Sequence, residues 1–314
     1  MVGKKIIIFG GSGFLGRALA SVLASRHEVV VADNFSRNYV APDRRVTVVE
    51  CDVLDRDAVF SASEGASVII NMAFINGTRN FYAYPNKIAE VALRGQLNVV
   101  DAANSNSIDL FIYASSSEVY QAPPTIPTAE AVPLVIPNLE NPRYSYGGGK
   151  IVGEYLTKYL LNSDINRIVF RPHNIYGRNM GLDHVIPELC KKAIKAKEDG
   201  CADIEIIGSL SNTRSFCFID DFTTAFSLIL EAGFTGTVNI GSGLENSVRE
   251  VIDLLSQLLD FELNPVPSTE THVGSVSRRC PDISILKSLG FVPRTPLIDG
   301  LKNVLDGLIE ESRS

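Results

Sequence analysis

The first half of the chain alternates short apolar runs with stretches that carry an amphipathic helical pattern. Runs such as "KIIIF" and "EVVVA" are apolar without alternation, as expected of strands that are covered on both faces. The alternation predicts an α/β fold, a doubly wound parallel sheet wrapped by helices. The predicted strands are Lys5–Phe9, Val29–Ala32, Val46–Glu50, Ser67–Asn71, Leu110–Ala114 and Arg167–Phe170. The predicted helices between them are Phe14–Ala24, Asp55–Ser61, Ile88–Asn104 and Tyr146–Leu161.

The pattern changes after Phe170, where proline, glycine and asparagine become frequent. We expect residues 1–170 to form the first domain, with 213–240 returning to it, and 171–314 to form mainly a smaller α/β lobe. The segment from Gln121 to Arg143 holds six prolines and is too long for a simple connector, so we expect it to cover a ligand. The predicted helices of the second lobe are His184–Glu198, Asp221–Glu231, Val248–Asp260 and Leu297–Glu310.

The net charge, the length of the apolar runs and the placement of cysteines and histidines argue against several classes of function. Acidic residues number 36 and basic residues 29, and this net charge of −7 argues against nucleic acid as the main partner. No apolar run approaches the ~20 residues that a membrane span needs. The five cysteines form no CxxC pair, and none of the four histidines is at ligand spacing from a cysteine. We therefore expect reduced thiols, no metal site and a cytoplasmic location.

A glycine-rich turn follows the first predicted strand. The segment "IIIFGGSGFLGRALA" places Gly10, Gly13 and Gly16 between that strand and the first predicted helix. Glycines allow the backbone to turn tightly and approach a pyrophosphate closely, and the helix N-terminus supplies N–H groups and a favourable dipole. The pattern predicts a dinucleotide site, and a glycine-rich turn without a ligand is the alternative.

Two carboxylates follow the next two strands. Asp33 ends the second strand, twenty residues after Gly13. A carboxylate there binds a ribose diol and repels a 2′-phosphate, which favours NAD over NADP. Arg37 is the residue that could accept that phosphate instead. Asp52 ends the third strand, where it either meets the adenine edge or caps the next helix.

Tyr146 and Lys150 are four residues apart in "RYSYGGGKIVGEYL", so they share one face of the predicted helix. A phenol with a pKa near ~10 is a poor base at neutral pH. A lysine ammonium beside it, with the positive charge of an oxidised nicotinamide, would favour the phenolate. The three glycines between the pair cost helix stability and leave room where something else must approach. Ser145 is a candidate cap of this helix.

A polar cluster, "ASSSEVYQ", follows the fifth predicted strand. Together with the glycine spacing Gly-x-x-Gly-x-x-Gly and the Tyr146–Lys150 pair, it resembles the extended branch of the short-chain dehydrogenase/reductase superfamily. Members of that branch modify nucleotide sugars, and the resemblance covers nearly the whole chain. It implies a Rossmann domain that binds NAD, a nucleotide-sugar-binding second lobe, and a homodimer paired through helices such as Ile88–Asn104 and Tyr146–Leu161. The implied cofactor contacts are Gly10, Gly13, Phe14, Leu15, Gly16, Asp33, Asn34, Asp52, Val53, Met72, Ala73, Tyr146 and Lys150.

The resemblance also implies the chemistry. Tyr146 would be the base that oxidises the C4 hydroxyl of an NDP-hexose or NDP-heptose, Ser116 would bind that hydroxyl, and Lys150 would give electrostatic support. Ser117 and Glu118 occupy positions that vary: Asp-Glu in 4,6-dehydratases, Ser-Glu in UDP-glucuronate decarboxylases, and a cysteine at the second position in GDP-mannose 3,5-epimerase. Glu118 thus lies where the family moves protons beside a 4-ketone, or it is only a carboxylate at a helix start.

The product stays open at this point. Return of hydride to the other face would give a 4-epimer, release of the ketone would make a 4-dehydrogenase, and proton transfer by Glu118 would give 3,5-epimerisation or dehydration. Decarboxylation is a further alternative. Ser117 weakens dehydration, because it offers no carboxylic acid to protonate the leaving 6-hydroxyl. "YSYGGGK" and "ASSSEVYQ" also resemble GDP-manno-heptose 4-dehydrogenases.

The second lobe contains segments that resemble substrate-binding parts of the family. "FRPHNIYGRNMG" is similar to its counterpart in GDP-mannose 3,5-epimerase and implies that Asn174 binds near the sugar or the diphosphate. "TRSF" implies that Arg214 clamps the diphosphate, which suits the forked donors of a guanidinium. Arg278 or Arg279 is the candidate second phosphate contact.

Three departures from the family pattern predict a subgroup with its own substrate. Phe9 stands where the family usually has threonine, Ala92 where it has asparagine, and "FINGTRNFYAYP" does not follow the common pattern. The alternative of another class is a non-catalytic NAD(P)-binding sensor or structural subunit. The presence of Ser116, Tyr146 and Lys150 together argues against that alternative.

Overall fold

The structure is a computed structural model that describes residues 3–37, 43–268 and 276–313. The strands are β1 Lys5–Phe9, β2 Glu28–Asp33, β3 Thr47–Glu50, β4 Val68–Asn71, β5 Leu110–Ala114, β6 Asn166–Pro172, β7 Ile175–Tyr176, β8 Asp203–Ile206, β9 Thr213–Arg214, β10 Cys217–Phe218, β11 Gly236–Ile240, β12 Asn246–Ser247, β13 Asn264–Pro267 and β14 Arg278–Arg279. The helices are α1 Phe14–Leu23, α2 Arg56–Ala62, α3 Thr78–Ala83, α4 Pro85–Glu90, α5 Gln96–Asn106, α6 Ser145–Tyr159, α7 Val185–Asp199, α8 Ile219–Glu231, α9 Val248–Leu259, α10 Ser284–Ser288 and α11 Leu297–Arg313.

The chain divides into two compact units. The first consists of Met1–Gln121, Pro133–Pro172 and Ala225–Asn239, and the second of Ala122–Val132, His173–Thr224 and Ile240–Ser314. The stretch that returns to the first unit is therefore shorter than the 213–240 that we expected. Part of the proline-rich segment belongs to the second unit, which the sequence pattern did not predict.

A seven-stranded sheet organises the first unit, in the order β11-β6-β5-β4-β1-β2-β3. The neighbouring pairs from β6 to β3 are all parallel, so the predicted doubly wound parallel sheet is confirmed. Ile7 of β1 pairs with Val30 on one side and Ile69 on the other. The strand order reverses at β1, so the carboxyl ends of β1 and β4 form the switch point at which sheets of this kind bind ligands.

Burial on both faces explains why the strands could be predicted closely. β4 and β5 are buried along their whole length, and β1 from its second residue onward. β1 and β5 begin and end at the predicted residues. The predicted helix Ile88–Asn104 is divided in the structure: α4 leads into a π-helical stretch, Val91–Gly95, and α5 follows. Such π-helical insertions occur frequently at functional sites.

The second unit is built from small sheets and long helices. β9 lies between β12, which is antiparallel to it, and β14, which is parallel. β8 alternates exposed and buried residues, and its Ile204 and Ile206 join a core formed largely by α7, α9 and α11. Within the described residues, no helix is both long enough and apolar enough to cross a membrane.

Candidate active site

The glycine loop packs against the chain at the end of β4. Gly10 has a positive φ of 73°, and a Cβ on it would lie 2.5 Å from the backbone nitrogen of Ala73. A Cβ on Gly16 would lie 2.6 Å from Cα of Gly11. Both positions therefore require glycine. Gly13 is the N-cap of α1 and makes no side-chain cap, so the first turn presents backbone N–H groups as helix N-termini do.

Asp33 connects the glycine loop to the loop after β2. Its Oδ2 accepts a hydrogen bond from Ser12 N and its Oδ1 accepts one from Phe35 N, each at 2.9 Å. A carboxylate has about four acceptor sites, so both oxygens retain capacity for a ribose diol. The Ser12 hydroxyl is buried and has no hydrogen-bond partner within the described part of the chain. A buried hydroxyl of this kind suits a ligand rich in oxygen acceptors, so the loop fits a dinucleotide.

Asp52 does not cap the helix that follows it. Its carboxylate accepts hydrogen bonds from Leu54 N at 2.9 Å and from Asn34 Nδ2 at 3.0 Å. The N-cap of α2 is Asp55, which accepts from Ala58 N. The capping alternative for Asp52 is therefore wrong, because the turn between strand and helix is longer than the pattern indicated.

The remaining predicted cofactor residues lie at the same edge of the sheet. Met72 and Ala73 follow β4 directly and are half-buried, and Val53 is buried after β3. Phe14 and Leu15 form the first turn of α1. Arg37, the residue that could accept a 2′-phosphate, donates to the carbonyl of Asn76.

The serine cluster caps a short turn and contains candidate site residues. Ser116 precedes a short 3₁₀ turn, Ser117–Val119, and its Oγ accepts a hydrogen bond from Glu118 N at 3.1 Å. The Ser116 side chain also lowers the pKa of the Tyr146 phenol. Ser116 and Ser117 are both buried. A role in capping the turn is thus compatible with a role of Ser116 beside Tyr146.

Tyr146 and Lys150 lie on one face of α6 and are both buried. Lys150 Nζ donates a 2.7 Å hydrogen bond to the carbonyl of Ala114. The same nitrogen lies 4.0 Å from the ring centroid of Phe74 and 5.8 Å from that of Tyr146. The structure therefore brings Ser116, Tyr146 and Lys150 together, as the sequence indicated.

Burial dominates the electrostatics of this pair. It raises the pKa of Tyr146 to about 12, against the opposing effect of the Ser116 side chain, while the charge of Glu118 raises it further. Burial also lowers the pKa of Lys150 to about 7, and the charge of Glu154 acts in the opposite direction. In the protein alone, the phenolate is thus disfavoured, because removing the phenol from water outweighs the lowering effects of Ser116 and Arg37 on its pKa.

The glycines of α6 allow close packing. A Cβ on Gly147 would lie 2.8 Å from Nε2 of Gln121 and 3.0 Å from the carbonyl oxygen of Glu118. A Cβ on Gly149 would lie 2.9 Å from the Phe74 ring. Ser145 is not the cap: the N-cap is Tyr144, and among the described residues Ser145 Oγ has no hydrogen-bond partner. The residues that approach these glycines most closely come from the segment that follows the three serines, from Phe74 and from Ala92.

The segment that departs from the family pattern lies against the tyrosine. The Phe81 ring stacks on Tyr146 with centroids 4.9 Å apart and an interplanar angle of 23°, and the Phe74 ring meets it edge-on at 5.2 Å. Sequence reasoning noticed the unusual segment but did not assign these contacts. No local pattern reports them, since they join residues that are distant in the chain.

Glu118 has a basic neighbour that the sequence did not reveal. Its Oε1 lies 3.7 Å from Nη2 of Arg143, and the two side chains are 21% and 13% exposed. Gln121 Nε2 donates to the Glu118 carbonyl at 2.6 Å, which fixes the backbone of the turn. Arg143 lies three residues before Tyr146 in the chain, and Glu118 lies two residues after Ser116. The Glu118–Arg143 ion pair therefore joins the turn after β5 to the start of α6.

Strand register separates the two arginines that the sequence could not distinguish. Arg279 pairs with Arg214 across β14 and β9, so both side chains project from the same face of that small sheet. Arg278 pairs with Thr213, and its Nε and Nη2 bind the carboxylate of Glu245 at 3.1 and 2.5 Å. The geometry therefore favours Arg279 over Arg278 as the candidate second phosphate contact beside Arg214.

Asn174 occupies an unusual backbone conformation in the second unit. Its φ is 40°, in the left-handed region that asparagine tolerates better than most residues. Its carbonyl accepts a hydrogen bond from Cys217 N at 3.2 Å.

The sequence model described as the NAD dependent epimerase/dehydratase family matches residues 6–241. The chain belongs to this family. It is an NAD-dependent enzyme of the sugar-nucleotide epimerase/dehydratase class.

Individual relatives agree with this assignment. The chain is 30% identical to GDP-L-fucose synthase 1 of Arabidopsis thaliana over 261 residues, which cover 80% of this chain and 79% of that protein. It is 27% identical to GDP-mannose 3,5-epimerase 1 of Oryza sativa subsp. japonica over 314 residues, 95% of this chain and 80% of that protein. The UDP-glucose 4-epimerase of Thermotoga maritima, solved with UDP-glucose, superposes with a TM-score of 0.86 at 22% identity, covering 98% of this chain and 99% of that one. At that identity the likeness shows the fold.

Proposed function

We propose that this enzyme oxidises the C4 hydroxyl of an NDP-hexose or NDP-heptose to a 4-keto species, as part of an epimerase or 4-dehydrogenase reaction. The observation that carries the proposal is the burial of Ser116, Tyr146 and Lys150 together, with Ser116 acting on the phenol of Tyr146 and Lys150 one helical turn further on. A sensor or structural subunit would have no use for a phenol, a hydroxyl and an ammonium group held together in a buried site.

Each residue has one task in this reaction. The Ser116 hydroxyl binds and orients the C4 hydroxyl, and the Tyr146 oxygen accepts its proton. When bound, NAD⁺ would supply the hydride acceptor and a positive charge in the site. The Lys150 ammonium group stabilises the phenolate that Tyr146 must become. Since burial raises the pKa of Tyr146 to about 12, both positive charges are needed to bring it into the working range.

Glu118 would act after oxidation. A 4-ketone acidifies the neighbouring carbon–hydrogen bonds, and a carboxylate at this position can remove or return such a proton. The Arg143 guanidinium lies 3.7 Å from the carboxylate and provides its counter-charge. The buried Ser117 hydroxyl cannot replace a carboxylic acid, so dehydration is disfavoured. Decarboxylation of a uronic acid sugar is the second candidate, because the Ser117–Glu118 pair matches that subgroup of the family.

The second unit would bind the nucleotide diphosphate. Arg214 and Arg279 project from one face of a sheet and offer forked donors to phosphate oxygens. Asn174 is the candidate contact to the sugar or diphosphate.

A homodimer is part of the proposal. Along α6, Tyr155 and Tyr159 are each 61% exposed, and their ring centroids lie 4.8 Å apart. Leu93, on the other helix that the resemblance places in the interface, is also exposed. Two copies that cover these side chains would bury aromatic surface that a monomer leaves in water. Light scattering during gel filtration, of the parent and of Tyr155→Glu, tests this directly.

A product panel tests the reaction. The protein with NAD⁺ is incubated separately with UDP-, GDP-, dTDP- and CDP-sugars in ²H₂O, and the products are identified by mass spectrometry. A 4-epimer or a 4-keto sugar supports the proposal, and loss of carbon dioxide supports decarboxylation. NAD⁺ binding without any conversion across the panel would favour a sensor.

A further inference from the structure

A buried ion pair between Arg171 and Glu154 lies next to the proposed reaction centre. The sequence pattern did not predict this pair, and the proposed mechanism gives it no role. Arg171 at the end of β6 donates to both oxygens of Glu154 on α6, from Nε at 2.8 Å and from Nη2 at 2.6 Å. The Arg171 and Glu154 side chains are 5% and 11% exposed. A bidentate, buried arginine–carboxylate pair is rigid and strongly oriented.

The pair is fixed further by the serine cluster. Ser115, which directly precedes Ser116, donates its hydroxyl to Oε1 of Glu154. Arg171 Nη1 donates to the hydroxyl of Tyr120 at 2.7 Å, and that hydroxyl donates to Oδ1 of Asn239 at 2.8 Å. The Glu154 carboxylate is therefore immobile, because three donors hold it and its main partner is anchored in turn.

Glu154 also lies on the catalytic face of α6. It follows Lys150 by four residues and Tyr146 by eight, so the three side chains project from one side of the helix. A helical count from Tyr146 would have found it in the sequence. The serine cluster and the tyrosine helix thus meet at this carboxylate.

Lys150 needs a compensating charge. Its ammonium group is buried against the rings of Phe74, Tyr113 and Tyr146, and its hydrogen bond goes to a neutral carbonyl. Of the charged groups in this region, Glu118 and Arg37 act on Tyr146, and Glu154 acts on Lys150. Burial brings the pKa of Lys150 to about 7, and the Glu154 charge raises it.

We propose that Glu154 is a positioning residue that keeps the Lys150 side chain in its ammonium form. The inference rests on the proposed role of Tyr146 as the base, because a neutral lysine could not stabilise the phenolate. The Arg171 and Ser115 contacts serve this role by holding the carboxylate at a fixed place on the same helix face. Glu154 itself touches neither substrate nor cofactor in this mechanism.

The experiment follows the ionisation of Lys150 by NMR in the full chain carrying ¹³C at lysine Cε, with and without NAD⁺. The signal is assigned by its loss in Lys150→Arg. In Glu154→Gln, which keeps size and removes the charge, the titration midpoint of Lys150 should fall by about one pH unit. Glu90→Gln, which removes an exposed carboxylate paired with Arg94, is the matched control and should leave the midpoint in place.

An unchanged midpoint in folded Glu154→Gln overturns the inference. Should that variant fail to fold because Arg171 is left without a counter-charge, the double variant Glu154→Gln/Arg171→Met removes both charges at once. Replacement of both partners of a buried pair is often tolerated. Its midpoint should also fall, and an unchanged value again overturns the inference. The titration needs no sugar substrate, so a wrong product assignment and a wrong role for Glu154 give separate results.

Discussion

The Ser116 side chain lowers the pKa of the Tyr146 phenol, although the two residues are thirty positions apart in the chain. Gly147 allows this, because a Cβ there would lie 2.8 Å from Nε2 of Gln121 and would push α6 away from the serine cluster. The effect of Ser116 opposes that of burial on the pKa of Tyr146. We therefore expect Ser116 to support the proposed base as well as being the candidate binder of the sugar hydroxyl.

Ser116→Ala should slow ketone formation by about a hundredfold, since it removes the hydroxyl that is proposed to orient the C4 hydroxyl for proton transfer to Tyr146. Ser116→Thr keeps a hydroxyl and should recover most of the rate. The readout is kcat with the sugar nucleotide that the product panel identifies, alongside the Kd for NAD⁺, which should stay near the parent value. Full activity in Ser116→Ala would show that proton transfer to Tyr146 does not depend on the Ser116 hydroxyl.

Asp33→Ala should weaken NAD⁺ binding by about tenfold to a hundredfold, or roughly 1.4–2.7 kcal/mol. The carboxylate is the candidate ribose contact, and it also holds Ser12 N and Phe35 N at 2.9 Å. Isothermal titration calorimetry measures the change. Asp57→Ala, which alters an exposed carboxylate in the first turn of α2, should bind NAD⁺ normally. Equal affinity in both variants would remove Asp33 from the cofactor site.

Glu118→Gln should leave C4 oxidation within about twofold of the parent and reduce proton exchange beside the ketone by about a hundredfold. The reason is that Glu118 is proposed to act only after the ketone forms. Incorporation of ²H from solvent, measured by NMR of recovered sugar nucleotide, reports the exchange. Glu140→Gln, an exposed change in the neighbouring loop, is the control. Exchange that survives in Glu118→Gln would leave Glu118 as a carboxylate of the turn only.

Lys150 should make stability depend on pH. Its folded-state pKa of about 7 lies below its ordinary value of 10.5, so the unfolded chain binds more protons between these two values. The free energy of unfolding of the parent, relative to Lys150→Met, should therefore rise from pH 7 to pH 8.5 by up to about 1.4 kcal/mol per unit. Urea unfolding at several pH values measures this difference.

Lys158→Met is the control for that slope, because Lys158 is exposed on the same helix. Its stability should run parallel to that of the parent over the same pH range. If the difference in free energy of unfolding between the parent and Lys150→Met does not change with pH, Lys150 is as easily protonated in the folded chain as in the unfolded one.

The parallel sheet was predictable because its strands are buried on both faces and read as uninterrupted apolar runs. β1 and β5 match the predicted bounds, and the glycine loop follows β1 as expected. Tyr146 and Lys150 were predictable because helical periodicity is local. The same periodicity reaches Glu154, which was overlooked because its partner Arg171 comes from another strand.

Contacts across the chain were not predictable in the same way. The approach of Phe74 and Phe81 to Tyr146, and of Arg143 to Glu118, depends on how separate segments pack. The sign of the electrostatic effect on Tyr146 was also missed, because burial cannot be read from the spacing of two residues. In the second unit, only the strand register could separate Arg279 from Arg278.

The most direct test of the proposed chemistry is the Tyr146→Phe variant in the product panel, with NAD⁺ affinity measured in parallel. The ring and its packing against Phe81 remain in this variant, and only the hydroxyl is lost. We expect the parent protein to form a 4-keto or 4-epimeric product from at least one sugar nucleotide. We expect Tyr146→Phe to bind NAD⁺ with near-parent affinity and to form neither product. Turnover that survives in Tyr146→Phe would contradict the assignment of Tyr146 as the base that oxidises C4.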